Sequence, residues 1–185
     1  REEIVTTEML LEKQFGNELS QAWFAGPRTV SGDLLFGLVE QDDAHWLVCL
    51  RCETGEVIWK LMLAYPETDI FQDAARQLNA SRPLVADGLV WTSTNDGWLI
   101  AVDTLTRSVV WSRSIIQKQP EMSRSRNLRG GLLQIQPPQP FHDCWRPEAM
   151  HLVSDSLLLT GPEGHQLLMI NPRTGKVRRR ISPES

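Results

Sequence analysis

Along most of the chain, short apolar runs of about four to eight residues are separated by tight polar turns. That is the period of strands rather than of long helices. The first such series places strands near 27–31, 34–39, 45–51 and 56–62. A second falls near 83–86, 89–94, 97–103 and 108–114, and a third near 150–154, 157–160, 165–171 and 176–181. Asp87-Gly88 and Asn95-Asp96-Gly97 are hairpin signals, since glycine accepts the positive φ that twisted two-residue turns require. Each series thus predicts four antiparallel strands.

The three series can be overlaid. Val30–Phe36, Val85–Trp91 and Val153–Leu159 each show a strand, a polar turn and a second strand. Leu47–Trp59, Leu99–Trp111 and Leu167–Arg179 each show an apolar strand, a polar turn and a further strand starting at Glu56, Ser108 or Lys176. Repeated four-stranded units are the mark of propeller blades, although regularly spaced hairpins also fit a sandwich. The recurring motif at the end of each unit decides for the propeller. The fold expected is all-β: a partial β-propeller of about three four-stranded antiparallel blades. Three blades are fewer than the roughly four to eight that close a ring.

The end-of-unit residues resemble the Ala-x-Asp-x-x-Thr-Gly-x-x-x-Trp motif of the PQQ-like, or quinoprotein-alcohol-dehydrogenase-like, propellers. Ala101, Asp103, Thr106 and Trp111 match it in the second unit, with Arg107 in place of Gly. Thr54, Gly55, Glu56 and Trp59 match in the first, with Cys49 and Arg51 in place of Ala and Asp. Asn171, Thr174 and Gly175 match in the third, where Arg179 stands in place of Trp. The resemblance implies that Trp59 and Trp111 pack between adjacent blades, beside the neighbour's Thr-Gly turn. An indole suits such a seam, because it buries on the order of 200 Å² and its N–H needs an acceptor. Trp91 and Trp98 read as strand residues of the second blade. Ala25-Gly26-Pro27 and Leu63-Ala64-Tyr65-Pro66 are also similar to segments of large bacterial PQQ-like repeat proteins of uncharacterised activity. Family resemblance alone suggests a periplasmic or extracellular setting.

The rest of the chain divides around these blades: an arm over 1–26, blade 1 over 27–64, an insert over 65–82, blade 2 over 83–115, an irregular insert over 116–148 and blade 3 over 149–185. Leu10, Leu11, Phe15, Leu19 and Trp23 fall at near-helical spacing and predict an amphipathic helix over 8–23, with Thr7 as its N-cap. Ile70, Phe71, Ala74, Ala75 and Leu78 predict a short inserted helix over 68–79, stopping at Asn79. The third insert carries Arg124, Arg126 and Arg129 in a basic run, which reads as a solvated loop more readily than as an anion site. His142, Cys144 and His151 match no zinc spacing. Arg178, Arg179 and Arg180 fall on the outermost strand of a blade, where charge discourages edge pairing.

Composition narrows the function. The 185 residues carry 19 Lys+Arg against 23 Asp+Glu, a net charge of −4, which argues against a nucleic-acid partner or a polybasic membrane surface. No run approaches the roughly 18 apolar residues of a membrane-spanning helix, so this segment is not expected to insert in a membrane. Starting at Arg1 without an initiator Met, it reads as a segment of a longer product. Three cysteines are too few for a disulfide framework. Cys49 and Cys52 have redox or half-zinc spacing but no second pair, so they read as a small buried residue and a turn residue. No nucleophile–base, P-loop or dinucleotide motif is present, and neither catalytic, metal nor cofactor residues are assigned. The first reading is therefore a non-catalytic scaffold, its partners the remaining blades of a longer chain or a separate protein. The resemblance also implies an alternative, a dehydrogenase fragment using the quinone PQQ with calcium. Family members of that kind set adjacent cysteines and a Glu/Asn/Asp calcium set around the axis, and no two cysteines here are neighbours. A ligand-sensing ectodomain of a receptor or kinase is a third reading.

Overall fold

The structure, a computed structural model, describes residues 16–66, 70–72, 77, 82–95, 97–115, 150–160 and 166–182. Among these, thirteen strands form three antiparallel sheets. The first holds β1 (Trp23–Phe24), β2 (Thr29–Ser31), β3 (Leu34–Gln41), β4 (Ala44–Arg51) and β5 (Val57–Ala64). The second holds β6 (Leu84–Ala86), β7 (Leu89–Ser93), β8 (Trp98–Asp103) and β9 (Ser108–Ser114). The third holds β10 (Met150–Val153), β11 (Ser156–Thr160), β12 (Leu167–Ile170) and β13 (Val177–Ile181). The second and third are plain four-stranded meanders, each strand pairing with the next. In the first sheet β3 is long enough to pair with two strands, β2 along Leu34–Phe36 and β1 along Val39–Glu40.

Turn chemistry sets these meanders. Asp42 and Asp43, at φ 53° and 57°, close the β3–β4 hairpin. Asp87 and Gly88, at 50° and 75°, close β6–β7. Paired positive φ values match the right-handed twist of the flanking strands, and Asp and Gly tolerate them best.

The sheets stack through their faces. Phe36, Leu47 and Cys49 of the first sheet pack against Val90, Ile100 and Val102 of the second. Leu89, Trp91, Leu99 and Ala101, on the opposite face of the second sheet, pack against Leu157, Leu159, Leu168 and Ile170 of the third. The first strand of each meander lies nearest its neighbours: β2 touches β6, and β6 touches β10. The Thr29 hydroxyl also donates to the Pro83 carbonyl just before β6. Three meanders packed face to face, with their first strands innermost, form an arc of a β-propeller.

Two expectations change here. The chain over Gly16–Leu19 is a short 3-10 turn, and Trp23–Phe24 is a strand, so the expected helix does not run through 16–23. Pairing with β3 satisfies backbone groups that a helix end would leave open. Leu19 and Ala22 instead cover the outer face of the first sheet, against Val39, Val48 and Leu50. The rest of the expected helix, 8–15, lies outside the described residues. In the first insert, Ile70–Gln72 is a 3-10 turn. Of the remaining positions of that expected helix only Gln77 is described, and it is α-helical, so the change there is confined to 70–72.

The third unit also sits one position away from the sequence overlay. Ala86 pairs with Leu89, while Val153 pairs with Ser156. Val153 therefore corresponds to Ala86, Leu157 to Val90 and Leu158 to Trp91. The insert over 116–148, with its arginines, His142 and Cys144, lies outside the described residues; His151 is an exposed residue of β10.

Candidate functional site

The end-of-unit motif builds a turn after the third strand of each meander. Asp103 Oδ1 accepts from the amides of Leu105 and Thr106 at 2.9 and 2.7 Å. Asn171 Oδ1 does the same for Arg173 and Thr174 at 2.9 and 3.0 Å. These bonds hold the Asp103 carboxyl below the ordinary carboxylate range, the Thr106 amide contributing most against a smaller opposing effect of desolvation. In the first unit Arg51 has no acceptor to offer; its guanidinium reaches Glu56 across the turn at 3.5 Å. There the Thr54 hydroxyl accepts from the Glu56 amide at 3.2 Å. The Thr106 hydroxyl lies 2.8 Å from that of Ser108. Each turn ends in a left-handed residue: Gly55 at φ 72°, Arg107 at 54° and Gly175 at 67°.

Trp111 stands opposite Ala101, and its indole reaches the turn of the third unit. Nε1 donates to the Pro172 carbonyl at 2.9 Å. A Cβ on Gly175 would lie 2.6 Å from ring atom Cε3, so only glycine fits there. Trp91, buried in β7, donates to the same Pro172 oxygen at 2.9 Å. The sequence marks Trp91 only as a strand residue; its acceptor lies 81 positions away, beyond any local signal.

Trp59 stands opposite Cys49 and makes a different contact. Its ring meets Phe36 of its own sheet edge-on, centroids 6.1 Å apart, within the cluster shared with Val90 and Ile100. Arg107, which replaces glycine in the second turn, is near enough to Cys49 to act on its thiol electrostatically. Burial dominates that effect and pushes the Cys49 thiol up to about 11. Cys52 is exposed on the turn. Arg179 stands opposite Met169, where the other units carry tryptophan, and is exposed.

Beside the Pro172 turn a cleft of about 250 Å³ opens between the second and third sheets. Leu89, Trp91 and Leu152 make its apolar lining, and Asp87, Asp155, Arg173 and Arg178 its charged rim. Arg178 donates to Asp155 at 2.7 Å and to the Ser156 hydroxyl at 3.0 Å. That ion pair, chiefly through the hydrogen bond, holds the Asp155 carboxyl below its usual range. None of these rim residues stands out as a ligand in the sequence, where Arg178 reads only as edge protection. Among the described residues no three of His, Cys, Asp or Glu gather as a metal centre.

Comparison with known proteins agrees with the architecture. The family model for outer membrane protein assembly factor BamB matches residues 9–183. No curated protein matches the chain. Among solved structures, BamB from Moraxella catarrhalis is 21% identical over 86% of this chain and 37% of its own, with a TM-score of 0.46. A quinohemoprotein alcohol dehydrogenase from Pseudomonas putida HK5 is 17% identical, covering 88% of this chain and 22% of its own, at a TM-score of 0.51. The quinohemoprotein alcohol dehydrogenase of Comamonas testosteroni is 14% identical, covering 86% of this chain and 21% of its own, at 0.52. The chain thus spans well under half the length of each of these structures. At such identities the dehydrogenases speak for fold alone. With its repeated Asx-turns, tryptophan seam and stacked meanders, the chain belongs to the PQQ-like propeller family whose model is described as outer membrane protein assembly factor BamB.

Proposed function

We propose that this arc of blades is a non-catalytic scaffold that works within a larger assembly, in the manner the family description, an outer membrane protein assembly factor, suggests. The observation that carries this reading is how the polar groups of the repeat motif are used. The indole N–H groups of Trp91 and Trp111 go to one backbone carbonyl, and the side-chain oxygens of Asp103 and Asn171 go to backbone amides. Groups tied to the backbone in this way hold a rigid platform and leave binding to its surface. The partners fitting this reading are further blades or a separate protein, and the exposed outer face of the third sheet, around Val153 and Arg179, is a surface for either.

The test has two arms. Titration of the protein with the quinone and calcium, followed by absorbance, is expected to give no saturable stoichiometric binding; tight stoichiometric binding would overturn the scaffold reading. Cross-linking in cells, with mass spectrometry of the products, is expected to join exposed residues of β13 to an outer-membrane assembly protein.

A further inference from the structure

The strand registers of the two seams correspond, so a position at one can be compared with its equivalent at the other. Strand register equates Asp87, Arg173 and Arg178 at the second seam with Gly32, Leu105 and Val110 at the first. Asp155 likewise takes the place of Gly88. Packing between blades needs none of these charges, since at the first seam the same positions carry glycines and exposed aliphatic side chains. Yet all four gather around the 250 Å³ cleft.

Their hydrogen bonding divides them. Arg178 and Asp155 satisfy one another at 2.7 Å, and Asn171 is engaged with its own turn. Arg173 and Asp87 remain, exposed and without an ion-pair partner among the described residues. They approach from different sheets, Asp87 from the β6–β7 turn and Arg173 from the β12–β13 turn. Both lie in tight turns, Asp87 at φ 50° in the β6–β7 hairpin and Arg173 with its amide donating to Asn171 at 2.9 Å. The same cleft has the apolar lining of Leu89, Trp91 and Leu152.

We propose that this cleft binds a free amino acid with an apolar side chain, its carboxylate on Arg173, its ammonium on Asp87 and its side chain on the apolar lining. Guanidinium–carboxylate pairing supplies strong, oriented hydrogen bonds from one sheet, and the carboxylate of Asp87 supplies the acceptor from the other. The cleft is smaller than the roughly 300–1,000 Å³ typical of sites for drug-sized ligands, which suits a ligand of this size. Opposite charges supplied by two different sheets select a zwitterion over a simple acid or amine, because either of those leaves one charge unpaired.

The experiment is ligand-observed saturation-transfer NMR on the whole chain, with L-leucine and L-phenylalanine as probes, N-acetyl-leucine and leucinamide as single-charge analogues, and the variants Arg173→Leu and Asp87→Asn. Saturable millimolar or tighter binding of leucine is expected, weakened at least about tenfold in each analogue and each variant. Arg173→Leu installs the residue found at the first seam, and Asn tolerates the left-handed turn at 87, so both variants are expected to melt as the parent does. No saturable binding of either amino acid would overturn the proposal. Equal binding of leucine and leucinamide, or binding unchanged in both variants, would do the same.

Discussion

Trp111 and Gly175 are in such close contact that a single methyl group on the glycine would come within 2.6 Å of the indole. One residue lies on the last strand of the second unit and the other on the turn of the third, so their fit sets the spacing of the two sheets. Gly175→Ala must strain a φ of 67° and displace the ring, together costing about 3 kcal/mol. Trp111→Ala removes the indole from the seam and is expected to cost about 3–5 kcal/mol. Thermal or urea unfolding checks both, and a melt for Trp111→Ala equal to the parent's would refute the seam role.

Because two indoles share the Pro172 oxygen, their contributions are not independent. Trp91→Phe or Trp111→Phe alone leaves that carbonyl one donor. The double variant leaves none, and the loss should exceed the sum of the single losses by about 1–2 kcal/mol. A double-mutant cycle in urea measures this coupling, and strict additivity would show that the shared acceptor carries no energy.

Acid should loosen the turns. Hydrogen bonds from the Thr106 and Leu105 amides hold the Asp103 carboxyl below the ordinary carboxylate range, and the Arg178 guanidinium does the same for Asp155. A carboxyl lowered on folding stabilises above its unfolded value, and that stability disappears as the pH falls through the folded value. Stability is therefore expected to hold near neutrality and decline below about pH 4. Asp103→Asn keeps the acceptor, as Asn171 does in the third unit, and should flatten this acid limb. Melting temperatures of parent and variant between neutral pH and pH 3 supply the comparison; an unchanged limb would remove Asp103 from the account.

Thiol chemistry should separate the two neighbouring cysteines. Cys49 is fully buried and its thiol is pushed up to about 11, whereas Cys52 is exposed. Iodoacetamide at pH 8 is expected to modify Cys52 in the folded chain and Cys49 only after denaturation. Peptide mass spectrometry resolves the two sites, and equal labelling in the folded state would contradict the packing of β4.

Much of this architecture was legible because strands and turns are local. Asp87-Gly88 announces its hairpin, and the Asp103 and Asn171 turns recur at matching places in their units. What could not be read depends on distance or on uniformity. Trp23–Phe24 is too short for a period to register, and β1 exists only because β3 outruns β2. Leu157-Leu158-Leu159 offers no alternation to fix which face is inward, which is where the third unit slipped by one position. Leu19 belongs to an apolar spacing that suits a helix, yet what it does is cover the first sheet. The rim of the cleft was not legible: Arg173 falls at a variable position of the motif and Arg178 reads as edge charge, and only the stacking of the second and third sheets brings them to one cleft with Asp87.

The Trp111–Gly175 contact also has a polarity. One unit contributes the ring and the next contributes the bare backbone, so the joint is head-to-tail rather than self-complementary. A contact of that kind cannot be satisfied by turning two identical units face to face. It adds units in one rotational sense only, so the order of the meanders along the chain and their order around the axis are the same order.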